Sequence, residues 1–273
     1  MGYVEFTQTE FSSSPSPRES ARFGHSTDRI TIGAQAHERA SNLIRLTAIA
    51  GNLIRESSAV IKIVRFPSEC LPLFRNLTNI PGRLIPAGAL MYWEYAAGNQ
   101  VPLVPGDNTE VLTSPANSQQ LDAVMAVVKD SFDGYVNHYS VNPLIPAGII
   151  SDGYMEWARG TISNPSSLVF TMRNDDNKVV GAAVISVVDG IWEIELASIA
   201  RAAQRRGYYL RLISRVLTEA HDRGAARVVI STQSHNIAVQ RAWVRLGFSP
   251  ILSIDTVHII DDFTGVAAIA DPA

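Results

Sequence analysis

The chain has 273 residues, of which 46% are hydrophobic and 18% charged, and a net charge of −3. That is enough apolar material for one large or two small cores, and the slight acidity argues against a general nucleic-acid binder. A single cysteine, Cys70, excludes a disulfide framework, and it has no His or Cys at ligand spacing to build a zinc site.

Residues 1–20 are rich in Ser, Thr and Pro and lack an apolar h-region, so they predict a flexible tail and not a signal peptide. No apolar run reaches the length of a membrane span. A cytoplasmic protein without membrane or nucleic-acid partners is expected. Arg29–Ile32 reads as a short strand, Ala34–Arg55 as a helix, and Val60–Val64 as a β-branched strand. Glu69–Leu77 follows as a helix and Ala89–Ala96 as a strand. Residues 21–100 thus form a small α/β unit. Val101–Asn108, with two prolines and a Gly-Asp-Asn turn signal, is the expected linker.

The second unit is expected over 109–262, with 263–273 as a C-terminal tail. Glu110–Thr113 is a strand, and Ser118–Phe132 has helical spacing at Leu121, Val124, Val128 and Phe132. An irregular aromatic-rich stretch, Asp133–Ile150, precedes a helix capped by Ser151-Asp152 and running to Ala158. Leu168–Met172, Val179–Val188 and Ile191–Ile199 read as consecutive strands, the last two joined by a tight Asp189-Gly190 hairpin. Then come a helix (Tyr209–Arg223), a strand (Arg227–Ser231), a helix (Ile237–Arg245) and a strand ending near Ile260. The fold class is α+β, a mixed sheet layered with helices.

Gln204-Arg205-Arg206-Gly207-Tyr208-Tyr209 sits between a strand and a helix. The first turn of a helix has unpaired N–H groups and a partial positive charge, and two arginines add full charges. An anionic diphosphate suits that place. After the next strand, Asn236 opens a helix that stops at Gly247, the expected C-cap. This order resembles the GCN5-related N-acetyltransferase (GNAT) superfamily. Its acetyl-CoA motif, Gln/Arg-x-x-Gly-x-Gly/Ala, is matched by Gln204 and Gly207, with Tyr209 replacing the final small residue. Asn236 and Leu246-Gly247-Phe248 match a second signature.

The layout over residues 20–262 is similar to the TDP-fucosamine acetyltransferase group, in which a partial GNAT-like half precedes a complete catalytic half. Arg22-Phe23-Gly24, Tyr92-Trp93-Glu94, Phe132–Pro143 and Gly153-Tyr154-Met155-Glu156-Trp157 carry that likeness. The resemblance implies a splayed sheet and acetyl transfer from acetyl-CoA, with no metal, to a small-molecule amine. A deoxyamino sugar on a nucleotide carrier is the implied acceptor. It also implies that backbone near Arg205, Arg206, Gly207, Tyr208 and Tyr209 holds the diphosphate, and that Ile199 with its strand pairs the pantetheine arm. Ala197 or Ser198 would offer an oxyanion N–H, and Asn236 would contact the arm. Tyr135, His138, Tyr139 and Asn142 would shape the acceptor site.

The attacking amine must lose a proton and the leaving thiolate must gain one. Glu193 and Glu195 lie two apart on a strand, hence on one face, and are candidate bases. His258 and His138 compete with them. The resemblance implies a tyrosine acid seven residues after Asn236, where this chain has Trp243, an indole too weak to serve. Tyr208 or Tyr139 could replace it, or water could. Another small amine as acceptor, or a non-catalytic CoA-binding module, stays open, as does a homodimer.

Overall fold

Backbone pairing, the burial of Phe6 and the packing of Phe11 order the start of the chain. The computed structural model describes residues 2–261 apart from 40–42, 71, 97, 100, 103, 105–108 and 114–117. The stretch expected as a flexible tail instead carries helix α1 (Tyr3–Gln8), strand β1 (Phe11–Pro15) and the start of helix α2 (Pro17–Phe23). The serine-rich β1 pairs antiparallel with β2 (Thr27–Ile32), from Phe11↔Ile32 to Pro15↔Asp28. An edge strand needs only its backbone for this, which is why composition failed to reveal it.

The chain then builds helix α3 (Ala34–Arg39), helix α4 (Leu43–Glu56), strand β3 (Ile61–Pro67), helix α5 (Pro72–Leu77) and strand β4 (Arg83–Ala96). The one helix expected at Ala34–Arg55 is thus α3 and α4, with residues 40–42 outside the described set. Strand β5 (Thr109–Thr113) precedes helices α6 (Ser118–Phe132) and α7 (Ala147–Ile162). Helix α7 begins after an extended Pro146, four residues before the Ser151 cap read from the sequence. Pro146, extended at ψ 136°, supplies no side-chain cap, but it has no N–H that the helix start would leave unpaired.

Strands β6 (Leu168–Arg173), β7 (Val179–Val188) and β8 (Ile191–Ile199) follow. Asp189 and Gly190 both have left-handed φ, 50° and 74°, as a two-residue hairpin turn requires. Helix α8 (Tyr208–Asp222), strand β9 (Arg227–Gln233), helix α9 (Ile237–Arg245) and strand β10 (Ser249–Ile260) complete the order. No helix among the described residues is long and apolar enough to cross a membrane.

Two units result, and they do not follow the expected division at 101–108. The larger takes Met1–Glu5, Ala89–Asn137 and Ile145–Ser253; the smaller takes Phe6–Gly88, His138–Leu144 and Ile254 onward. Most of the expected linker, and the tail 263–273, lie outside the described residues. Strand β4 was expected to close the N-terminal half. Instead its residues Leu90–Ala96 pair antiparallel with β9 in the larger unit.

The smaller unit has strand order β1-β2-β3-β10, with β2 and β3 parallel and β3 antiparallel to Ile254–Ile260. Leu46, Ala50 and Ile54 recur on one face of α4 and bury against Ile30, Val64, Phe66 and Val257. The larger unit has order β4-β9-β8-β7-β6-β5, antiparallel except for β8 with β9. One face of its sheet, with Val169, Val184 and Leu196, packs on Val124 and Val128 of α6 and on Ala158 and Ile162 of α7. The other face, with Ile185, Ile194 and Ile230, packs on Leu212 and Val216 of α8 and on Trp243 of α9. The mixed, layered sheet expected from the sequence is present.

Candidate active site

Strands β8 and β9 pair from Ile191↔Arg227 only as far as Ile194↔Ile230, although β8 continues to Ile199 and β9 to Gln233. The ladder stops beside an irregularity. On its other side β8 pairs with β7, where Leu196 faces Val184 but Ile194 faces Ile185, so Glu195 is one residue too many. An extra residue bends its strand and sharpens its twist. The bend occurs where β8 parts from β9, and it leaves main-chain groups of residues 195–199 without a strand neighbour on that side.

The bulge corrects one expectation. Glu193 pairs with Ser186 and Leu196 with Val184, so Glu193 shares its face with Leu196, three residues on. The rule that residues two apart share a face does not extend across the bulge to Glu195. Glu193 is 9% exposed. Its Oε2 accepts the backbone N–H of Tyr3 at 2.8 Å, and its Oε1 accepts the Tyr92 hydroxyl at 3.4 Å. The Tyr3 and Tyr92 rings lie 5.4 Å apart. Burial pushes the Glu193 carboxyl up to about 7, against the pull of the Tyr3 N–H and with help from the Glu195 charge. A carboxyl that titrates near neutrality is suited to accept a proton. The Tyr3 and Tyr92 partners carry no local sequence signal.

Beyond Ile199 the chain turns sharply. The Gln204 side-chain amide donates to the Ile199 carbonyl at 3.1 Å, so Gln204 fixes the turn. Arg205 and Gly207 both adopt left-handed φ, 63° and 79°. Gly207 is the N-cap of the 15-residue α8, which has no side-chain cap and no acidic residue in its first turn. Arg205 and Arg206 are exposed. An uncapped helix start, a pair of left-handed residues and two cations together suit a diphosphate. Tyr208 turns inward, 7% exposed, with the Arg211 guanidinium 4.4 Å above its ring.

Tyr209 is partly buried, and its hydroxyl accepts the indole N–H of Trp243 at 3.0 Å. Tyr135 lies within electrostatic reach of Tyr209. The Tyr135 hydroxyl bonds with Thr232, the Gln233 backbone and Asn236 at the end of β9 that β8 has left. Asn236 also donates to the Thr232 hydroxyl at 3.0 Å. A cavity of about 550 Å³ is lined by Tyr135, Asp133, Arg201, Gln204 and Arg205 among others. Ala197 is partly buried on the helix α8 side of β8, and the buried Ser198 hydroxyl has no partner among the described residues.

The four residues expected to shape an acceptor site are divided between the units. Tyr135 is in the larger unit; His138, Tyr139 and Asn142 are in the smaller. There His258, fully buried, bonds through Nε2 to Nδ1 of His138 at 3.0 Å and accepts the Asn142 amide on Nδ1 at 2.9 Å. His138 Nε2 meets the Arg65 guanidinium at 3.0 Å. Donors stand at both ends of this chain. Even with both imidazoles neutral the three contacts cannot all be satisfied, and a further ring proton would set another N–H against a donor. Burial and the Arg65 charge hold His258 down at about 4, and burial holds His138 well below its usual range. The Tyr139 hydroxyl bonds Glu19 and Arg29. Cys70 is buried, which pushes its thiol up to about 11 and removes it as a nucleophile.

Residues 133–248 match the Acetyltransferase (GNAT) family. No curated protein matches the chain significantly by sequence. Among solved structures, a GCN5-related N-acetyltransferase from Sphaerobacter thermophilus is 14% identical with a TM-score of 0.60, over 92% of this chain and 76% of that one. One from Kribbella flavida is 15% identical with a TM-score of 0.53, over 86% and 81%. A functionally unknown protein from Staphylococcus epidermidis is 11% identical with a TM-score of 0.55, over 90% and 89%. At these identities the likeness is one of fold.

Proposed function

We propose that this chain, whose residues 133–248 match the Acetyltransferase (GNAT) family, is an N-acetyltransferase that moves the acetyl group of acetyl-CoA onto the amine of a small substrate by direct attack. The observation that carries the proposal is the early end of the β8–β9 ladder at Ile194↔Ile230, beside a carboxyl raised to about 7. Bound acetyl-CoA supplies an activated thioester. The α8 N–H groups and Arg205 and Arg206 hold its diphosphate, while Gly207 and Gln204 keep the turn open. Backbone of Glu195–Ile199 accepts the amide arm as an added strand. An N–H of Ala197 or Ser198 stabilises the oxyanion.

Glu193 takes the proton of the attacking amine. It is preferred to His258 and His138, whose ring nitrogens all face each other or a donor, leaving no partner for an added proton. The acceptor we favour is a nucleotide-linked deoxyamino sugar, which the sequence layout supports. A second reading, a smaller amine from antibiotic or intermediary metabolism, is favoured by the internal engagement of His138, Tyr139 and Asn142. A thiol-release assay with TDP-amino sugars and simple amines tests both. Release with the sugars alone supports the first and release with simple amines the second. Firm CoA binding without release from any amine would leave a non-catalytic CoA module.

A further inference from the structure

A general base needs the proton it will take about 2.6–3.2 Å from one of its oxygens. At Glu193 such a donor is already in place. The Tyr3 backbone N–H points at Oε2 from 2.8 Å, and the Tyr92 hydroxyl takes Oε1 at 3.4 Å. The side chain is 9% exposed, which leaves little room for a further donor. A peptide nitrogen is no nucleophile, because its lone pair is shared with the carbonyl. Tyr3 therefore stands where an attacking amine would have to stand, and it cannot react.

The fit is close and local. All of these residues belong to the larger unit. A side-chain carbon at Gly2 would come within 2.6 Å of Glu193 Oε2, so only glycine lets the main chain approach this carboxyl undisturbed. The Tyr3 ring rests against the Tyr92 ring at 5.4 Å, tilted by 51°. The hold on the segment is nonetheless shallow. Gly2, Tyr3 and Val4 are half-buried and Glu5 is exposed, whereas Phe6 is buried. Gly2–Glu5 can leave Glu193 with Phe6 still seated and β1 still paired to β2.

We infer that Gly2-Tyr3 is a built-in occupant of the acceptor subsite, a substrate mimic that must swing away from Glu193 and Tyr92 before an amine can be acetylated; this rests on the acetyl-transfer reading above. The subsite so marked takes an N–H donor on Oε2 and a flat group against the Tyr92 ring. While the segment is seated, the base is closed to every nucleophile, water included. The apparent affinity for an acceptor is then reduced by the fraction of molecules that are open.

Two substitutions unseat the segment and leave the base untouched. Tyr3→Pro removes the N–H and puts a ring carbon in its place, at the first residue of α1, where proline suits a helix start. Gly2→Val sets a side chain against Oε2. Each should speed the hydrolysis of acetyl-CoA without any amine, read as free thiol. There water bonds to the thioester carbon and gives a proton to Glu193, the carbon–sulfur bond breaks with its electron pair on sulfur, and sulfur takes a proton from solvent. The rate should rise roughly tenfold, the scale of one lost hydrogen bond to a charged group, with the Kd for acetyl-CoA unchanged. For the TDP-amino sugar or simple amine that supports thiol release in the wild type, KM should fall by a similar factor and kcat should hold. A contact that only supports the fold would give the reverse, a lower Tm and slower turnover. Hydrolysis unchanged or slower in the folded variants, with acetyl-CoA still bound, would overturn the inference. Absence of acetyl-CoA binding to the wild-type protein would instead overturn the acetyl-transfer reading, and this inference with it.

Discussion

Glu193 owes its proton affinity to removal from water. A carboxyl whose folded pKa exceeds its unfolded value stabilises the fold fully below the unfolded value of about 4.5, and that contribution is lost as pH rises through about 7. At pH 8 the buried charge costs up to about 3 kcal/mol. Glu193→Gln keeps the shape and removes the charge. It should therefore raise Tm at pH 8 and change it little at acid pH, while kcat falls about 100-fold or more with CoA affinity retained. In the wild type, kcat/KM should rise with pH along a limb centred near 7. A variant with wild-type kcat would move the base elsewhere. The sequence offered Glu193 and Glu195 as equals. What separates them is the bulge, and one extra residue in a run of Ile, Glu, Leu and Ala has no signature such as a glycine.

On the proposed reading the α8 turn concentrates two opposed demands, an open main chain for an anion and a conformation that ordinary residues resist. Arg205 at φ 63° bears a strain that glycine would not. Arg205→Gly should therefore stabilise the fold slightly, by about 0.5–1 kcal/mol in a denaturant titration, yet weaken CoA binding through loss of a cation. A loss of stability would show that the Arg205 side chain contributes more to the fold than its backbone costs. Gly207 has open space around its missing side chain, so bulk there meets the ligand and not the protein. Gly207→Trp should raise the CoA Kd roughly tenfold, through left-handed strain and shielding of the helix N–H groups. An unchanged Kd in calorimetry would displace the diphosphate from this turn. Strands β7 and β8 were legible in the sequence as apolar runs because both their faces meet a core, and helices α6 and α9 because one face of each does. Strand β1 was not, since in Phe-Ser-Ser-Ser-Pro only Phe11 packs on the core and the rest is held by backbone pairing with β2. Helix α7 was read late because Pro146, a structure breaker in most contexts, here begins it.

At the scale of the molecule, protons bear on the smaller unit more than on the larger. His258 is held at about 4 when folded, so the stability it gives is complete above the unfolded value of about 6.5 and is lost as pH falls toward 4. Burial alone would raise Glu19, but the hydrogen bonds and charge of Arg29 outweigh it and hold the carboxyl at about 2; its contribution is lost as pH falls from about 4.5 toward 2. Tm should therefore decline in two stages on acidification. His258→Gln should flatten the first stage and leave the second, as followed by calorimetry across pH; an unaltered first stage would assign it to other groups. The sequence named His138 and His258 separately but could not join them, because they stand 120 positions apart; the register of β10 on β3 sets His258 opposite Ile63, and His138, outside both strands, meets it at 3.0 Å. That register reaches further. The strand closing the smaller unit's sheet, Ile254–Ile260, is made long after β1, β2 and β3. A nascent chain leaving the ribosome must carry an unfinished first sheet through the synthesis of nearly everything else, with the Val64 backbone waiting for Val257. Chaperone dependence during translation, more than fragility of the finished enzyme, is where this threading should exact its toll.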